Sequence, residues 1–290
     1  MNTPEDETVF ERSGLASLSD LKSPAHKKIF STLEKEQQLF LDMEIEFRSK
    51  NYKWPRSPLY DFSRVWEYPY VYQHLAAYLD ASPQKSKPVV ADVGSGVTFF
   101  PFSLAKLGYN VVCTDIDPIC KRDLALACKC VPHSPGAIDF RLIENANLPF
   151  EDSECDALYC VSVLEHIADI ENTVREMARV LKPGGLCLIT CDINLHPEDG
   201  RQLDCKQFGR LMSLIDTFFV RVYPERTIHP VDILTTRNSP YPRKCSTLGV
   251  ARMVYSLVKQ KILKPLRGQR AGRLRGATPH SGVLGLVLRR

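Results

Sequence analysis

Three small groups of residues in this 290-residue chain have types and spacings that could do chemistry. The first is Asp92, Gly94, Ser95 and Gly96, a carboxylate beside two glycines. Without a Cβ, Gly94 and Gly96 let the backbone turn sharply and come close to a ligand. The second is Asp115, with Ile116 beside it. A carboxylate is acceptor-only and reaches two donors at once, which suits a pair of ribose hydroxyls. The third is a pair of candidate bases, His166 and Asp192. Imidazole gains and loses a proton near neutrality, so His166 can either remove a proton from an acceptor or brace its loop. Together these residues point to a nucleoside-bearing ligand and an acceptor that gives up a proton.

The elements that must position them follow from apolar patterning. Val89, Val90, Ala91 and Val93 read as a buried parallel strand that stops at Gly94-Ser95-Gly96. A helix is expected from near Val97 to Leu107, ended by Gly108, with its first N–H groups open to a polar or anionic group. Strand, glycine turn and helix open a nucleotide-binding α/β unit. Further strands are expected near 110–115, 138–143, 155–160 and 185–191, and helices near 118–129, 169–181 and 204–217. That alternation gives a parallel sheet with helices on both faces. A dehydrogenase fingerprint would place a third glycine at position 99, where the chain has Phe99. This argues against a nicotinamide oxidoreductase, the main rival of a different enzyme class.

Four motifs follow the glycine turn in order: Asp115-Ile116-Asp117-Pro118, Leu148-Pro149-Phe150, CDALYCVSVLEHI (155–167) and VLKPGGLCLIT (180–190). The series resembles the class I S-adenosylmethionine-dependent methyltransferases of the small-molecule type, over roughly residues 87 to 192. The resemblance implies a seven-stranded Rossmann-like sheet whose last strand is antiparallel. VLGLVLRR (283–290) fits that strand and Phe218 to Tyr223 the one before it. It implies S-adenosyl-L-methionine as cofactor, with the Asp92 to Gly96 loop on its methionine end. Glu144 and Asn145 are then expected at the adenine, and Cys160, Val161 and Ser162 under the sulfonium. Lys182-Pro183-Gly184-Gly185 reads as a helix end and a turn into the fifth strand.

The expected organisation is a flexible segment (1–22), an N-terminal helical and aromatic segment (23–86), the core (87–223), a basic insert (224–282) and a last strand (283–290). Ser23-Pro24 reads as the start of a helix that runs to Phe47. Residues 52–72 hold eight aromatics broken by three prolines. They read either as a lid on the acceptor side or as a wedge packing the N-terminal helices onto the sheet.

The net charge of +4 conceals a division. From Ile233 onward there are thirteen Lys or Arg and no Asp or Glu, so the body before it is acidic. A basic amphipathic helix from Thr247 to Leu263, followed by Lys264, Arg267, Arg270, Arg273 and Arg275, suits peripheral contact with an anionic membrane surface. The same face could instead pack on the sheet. Ten cysteines without a single C-x-x-C pair, several in apolar strands, suggest free thiols in a reducing cytoplasm and no metal site. No apolar run approaches the roughly 18 residues of a membrane span, and the acidic N-terminus is not a secretory signal.

The expected activity is O-methylation of a small-molecule or glycan-type acceptor. An Asp/Asn-Pro-Pro-aromatic signature of amino-methylation is absent, and no nucleic-acid recognition motif accompanies the basic stretch. A non-catalytic cofactor-binding module of the same fold is the remaining alternative, beside a nucleic-acid methyltransferase using the basic tail.

Overall fold

The computed structural model describes residues 9–81, 87–195, 203, 205–241 and 280–290. In chain order the strands are β1 (Gly14–Leu15), β2 (Val89–Val93), β3 (Asn110–Asp115), β4 (Ala137–Leu142), β5 (Cys155–Val161), β6 (Leu181–Asn194), β7 (Val220–Arg221) and β8 (Ser281–Arg289). The helices are α1 (Pro24–Asp42), α2 (Glu44–Phe47), α3 (Arg64–Ala81), α4 (Phe100–Leu107), α5 (Pro118–Cys130), α6 (Ile170–Val180) and α7 (Cys205–Phe218). One sheet runs in the order β1-β8-β6-β5-β2-β3-β4, and β7 also pairs with β8.

β4, β3, β2, β5 and β6 are parallel, and β8 is antiparallel to β6. The expected antiparallel last strand is therefore present, and Val220 of β7 pairs with Arg289 as a hairpin partner would. Residue alternation sends neighbouring side chains to opposite faces. Ala157 and Tyr159 of β5 join the core under α1, α3, α4 and α5, while Leu158 and Cys160 join the one under α6 and α7. Helices thus cover both faces, as the α/β alternation requires.

The described part of the N-terminal segment departs from expectation. Residues 9–22, read as flexible, are built into the molecule. β1 adds an eighth strand by pairing Gly14 with Gly285 and Leu15 with Leu284. Phe10 lies edge-on to Trp66 and Tyr70 and is only 2% exposed. Asp20, also buried, accepts from Arg12 and from the Trp66 indole N–H at 2.7 Å. Arg12 and Asp20, charged letters that made this stretch look loose, pair with each other inside the protein.

Three local expectations are also corrected. The helix after the glycine turn begins at Phe100 rather than Val97, because Pro101 lacks an N–H and fits best in a first turn. Pro69 does not break the aromatic segment but lies inside α3. The carbonyl four residues earlier, on Val65, receives the buried His26 Nε2 at 2.8 Å in place of the missing backbone N–H. Burial lowers the His26 pKa, which favours the neutral ring that this bond uses. Finally, Lys182 to Gly185 is an irregularity within β6, where Cys155 pairs with Leu181 but Ala157 with Leu186.

Two expected helix caps are present. Ser23 caps α1 by accepting the His26 N–H at 3.1 Å, with Pro24 in the first turn. Asp117 caps α5 through Ile119 N–H. Among the described residues no helix is long and apolar enough to cross a membrane. The helix expected from Thr247 to Leu263 and the polybasic stretch after it lie outside the described residues.

Candidate functional site

A cavity of about 700 Å³ opens beyond the carboxyl ends of the parallel strands. This is where open α/β sheets place ligands. One wall comes from the strand ends: Asp92 of β2 with Gly94, Ser95 and Gly96 after it, Asp115 of β3 with Ile116, and Val161 of β5 with Ser162 and Val163. The other wall comes from the N-terminal segment: Tyr52, Trp54, Asp61, Arg64 and Tyr68.

The glycine turn is held from several sides. Gly94 and Gly96 have φ of +75° and +54°, a region that glycine occupies without strain. A Cβ on Gly94 would stand 2.6 Å from Val163 Cγ2, so this glycine also admits the loop after β5. Gly94 and Ser95 donate their N–H groups to the Thr114 carbonyl. Gly96 donates to Asp115 Oδ2 at 2.9 Å, and Asp117 donates to Asp115 Oδ1 at 2.9 Å. Each Asp115 oxygen thus holds one backbone N–H and keeps further acceptor capacity toward the cavity. Val97 N–H, expected to be open to a ligand, is taken by the Tyr52 hydroxyl at 3.0 Å.

Asp92 lines the cavity at only 4% exposure. Burial pushes its carboxyl up to about 8, opposed by the Tyr159 hydroxyl and reinforced by Asp115. A buried carboxyl that resists ionisation is a natural partner for a bound cation, which would restore its charged form.

The aromatic segment divides residue by residue between its two readings. Phe62, Trp66 and Tyr70 are fully buried, and the Trp66–Tyr70 stack fits over Gly285, where a Cβ would meet Trp66 at 2.6 Å. Tyr52, Trp54 and Tyr68 reach the cavity instead. Trp54 is 56% exposed at its edge, whereas Tyr68 stacks on Phe100 with centroids 4.5 Å apart. Tyr52 carries the Arg48 guanidinium over its ring at 4.3 Å, and Arg48 also donates to the Val97 carbonyl.

Behind the cavity lies a cluster of charges that sequence reasoning missed. Glu67 of α3 is fully buried and accepts from Arg64 Nη1 at 2.5 Å and from Ser162 Oγ at 2.8 and 3.0 Å. Glu165 accepts the Asp192 N–H at 3.1 Å. Burial, then the Asp192 carboxylate, pushes Glu165 up to about 8. The available signal was Glu67 itself, a lone acid inside the aromatic run RVWEYPYVY.

Of the residues expected at the site, Asp92, Gly94, Ser95, Gly96, Asp115, Ile116, Val161, Ser162 and His166 line this one cavity. The rest do not line it. Cys160 is buried in the core under α6 and α7. Glu144 and Asn145 are exposed on a turn in which Asn145 and Ala146 both have positive φ, and Ile143 and Ala146 line the cavity there. Asp192 is buried within β6, beside Glu165. His166 is exposed at the mouth, in a short turn closed by its N–H to the Val163 carbonyl. Among the described residues no group of three or more His, Cys, Asp or Glu is arranged to hold a metal ion.

Residues 91–189 match the family described as "Methyltransferase domain". A ubiquinone biosynthesis O-methyltransferase of Chelativorans sp. is 29% identical over 46% of this chain and 52% of its own length. A demethylmenaquinone methyltransferase of Tropheryma whipplei is 35% identical over 37% of this chain and 42% of its own. The chain thus spans about half the length of these relatives. Among solved structures, one titled a putative sarcosine dimethylglycine methyltransferase from Galdieria sulphuraria is 17% identical. It covers 76% of this chain and 84% of its own, with a TM-score of 0.46.

Proposed function

From the class I methyltransferase domain that this chain carries, we propose that it transfers a methyl group from S-adenosyl-L-methionine to a hydroxyl of a small-molecule acceptor. The observation that carries this reading is the cavity described above. It joins a glycine turn with two carboxylates on one wall to an aromatic and charged wall on the other.

The residues present fit the cofactor. Asp92, buried and pushed up, suits its ammonium group. The Gly94 to Gly96 turn leaves room for the methionine end, and Asp115 retains acceptor capacity for ribose hydroxyls. Ile116 and Ile143 offer apolar surface for a flat base. When bound, the cofactor supplies an electrophilic methyl on sulfur.

This chain's own residues must then position an acceptor oxygen and accept its proton. Positioning is the larger contribution, roughly 7–11 kcal/mol in favourable systems. Trp54, Pro55, Pro58 and Tyr68 give the second wall an apolar body suited to a ring. Arg64 and His166 add polar groups to the same cavity. Oxygen as the acceptor atom is supported by the name of the Chelativorans relative. A sugar hydroxyl, as in a glycolipid, fits the same chemistry.

The test has two stages. Titration calorimetry should give saturable binding of S-adenosylmethionine. Mass spectrometry should then find labelled methyl groups in small-molecule or glycolipid extracts incubated with protein and isotope-labelled cofactor. Binding without transfer would leave a cofactor-binding module, and absence of binding would overturn the cofactor assignment itself.

A further inference from the structure

We propose that Ser162, backed by Glu67, receives the proton of the acceptor hydroxyl; the inference rests on the methyl-transfer reading above. Ser162 lies in the cavity wall just beyond β5 and is 6% exposed. Its hydroxyl donates to both carboxylate oxygens of Glu67, at 2.8 and 3.0 Å. Glu67 stands 95 residues earlier in the chain and is brought there by α3. Arg64, one turn before Glu67, donates to the same carboxylate at 2.5 Å.

The direction of these bonds determines what the site can read. An ionised carboxylate only accepts, so the single Ser162 hydrogen is committed to Glu67. The hydroxyl then has only lone pairs to offer the cavity, and it selects a donor such as an acceptor O–H. The proton has a continuous route: acceptor oxygen to Ser162 Oγ, and the Ser162 hydrogen to Glu67. As the acceptor oxygen forms its bond to the methyl carbon, the carbon–sulfur bond breaks and sulfur keeps the electron pair. Glu67 ends neutral beside Arg64, and the proton returns to water after product leaves.

Two features set this arrangement apart from a structural hydrogen bond. Ser162 has φ of +48°, a left-handed conformation that a serine adopts at a cost glycine would avoid. An Arg–Glu pair whose carboxylate is fully buried offers little stability over apolar packing of the same volume. Retaining both makes sense where a hydroxyl must face the cavity with a base behind it. The charged and titratable groups facing Glu67 are Arg64 and Tyr68 from α3, Glu165 from the turn after β5, and Cys191 from β6, with Asp192 of β6 acting on Arg64 and Glu165. His166 lines the same cavity but is exposed, whereas Ser162 is buried.

The test compares Ser162→Ala, Ser162→Gly, Glu67→Gln, Glu67→Asp and His166→Ala in the full chain. The probes are S-adenosylmethionine with catechol, with octyl glucoside and with the acceptor extracts. Both Ser162 variants should lose about 10²–10⁴-fold in kcat near neutral pH. Cofactor affinity should stay within twofold of wild type. Ser162→Gly suits the left-handed backbone and guards against a misfolded alanine variant. With catechol the loss should shrink as pH rises, because the acceptor then ionises without help. Glu67→Gln should follow Ser162→Ala, Glu67→Asp should recover part of the rate, and His166→Ala should lose less than tenfold. Unchanged kcat across pH in both Ser162 variants would overturn the relay and leave methyl transfer standing. A loss that is the same at every pH would make Ser162 structural and overturn it as well. A wild-type chain that binds the cofactor but methylates neither probe nor extract would overturn the transferase reading, and the relay with it.

Discussion

The two walls of the cavity are built by different means. The strand-end wall is local: Asp92, Gly94 and Gly96 fall within five residues, and Asp115 reaches back to Gly96 from the adjacent strand. The N-terminal wall is assembled at long range. Tyr52 reaches Val97 across 45 residues, and Glu67 reaches Ser162 across 95. A local turn tolerates few substitutions because its backbone has no alternative. A wall assembled from distant helices can change its side chains while the scaffold persists. The comparison suggests that the first wall fixes the cofactor and the second fixes the acceptor.

Four measurements would break or sharpen that contrast. The largest effect is expected for Gly94→Ala, which combines a left-handed φ with a Cβ 2.6 Å from Val163. It should cost roughly 2–4 kcal/mol in chemical denaturation and abolish cofactor binding. Retained stability would show that the turn is less constrained than its geometry implies. Asp115→Ala should weaken S-adenosylmethionine affinity by roughly 1.5–3 kcal/mol, the range for hydrogen bonds to a charged group. Calorimetry showing unchanged affinity in folded protein would remove Asp115 from the cofactor site.

The third measurement uses pH. Asp92 and Glu165 are both pushed up to about 8 by burial. Unfolded, such carboxyls lose their protons near pH 4. Between about pH 4 and 8 the folded chain therefore binds more protons than the unfolded one, so these groups make stability fall as pH rises. Thermal melts from pH 5 to 8 should show that fall, and Asp92→Asn should flatten it. The smallest effect is expected for Tyr52→Phe. It removes the hydroxyl that accepts the Val97 N–H and should cost about 0.5–1.5 kcal/mol of stability. A larger loss would mean that the N-terminal wall holds the glycine turn in place rather than merely covering it.

What could be read in the sequence follows the same division. β2, β3, β5 and the central part of β6 are mostly apolar, because a parallel strand buried on both faces shows little polar alternation. The glycine turn, the Asp117 cap and the Ser23 cap are local devices with local signatures. β1 was illegible because two residues in a polar stretch carry no periodicity, and only the edge of β8 makes them a strand. Pro69 misled for a related reason: its penalty is offset by a histidine from α1. Glu144 and Asn145 were placed by motif position, whereas the positive φ values around them turn Ile143 and Ala146 to the cavity. The Ser162–Glu67–Arg64 cluster depends on where α3 docks, which no short window contains.

The placement of β8 has a consequence for synthesis. β6 carries the apolar, uncharged run GLCLITC, and its outer edge is covered by β8. On the ribosome, chains grow at about 5–20 residues per second. The strand ending at Asn194 therefore waits on the order of ten seconds before Ser281 exists to begin covering it. During that interval the nascent chain presents an unpaired, aggregation-prone edge. The cell must shield that edge or rely on its dilution, and slower translation of residues 195–280 would lengthen the hazard rather than help the chain fold.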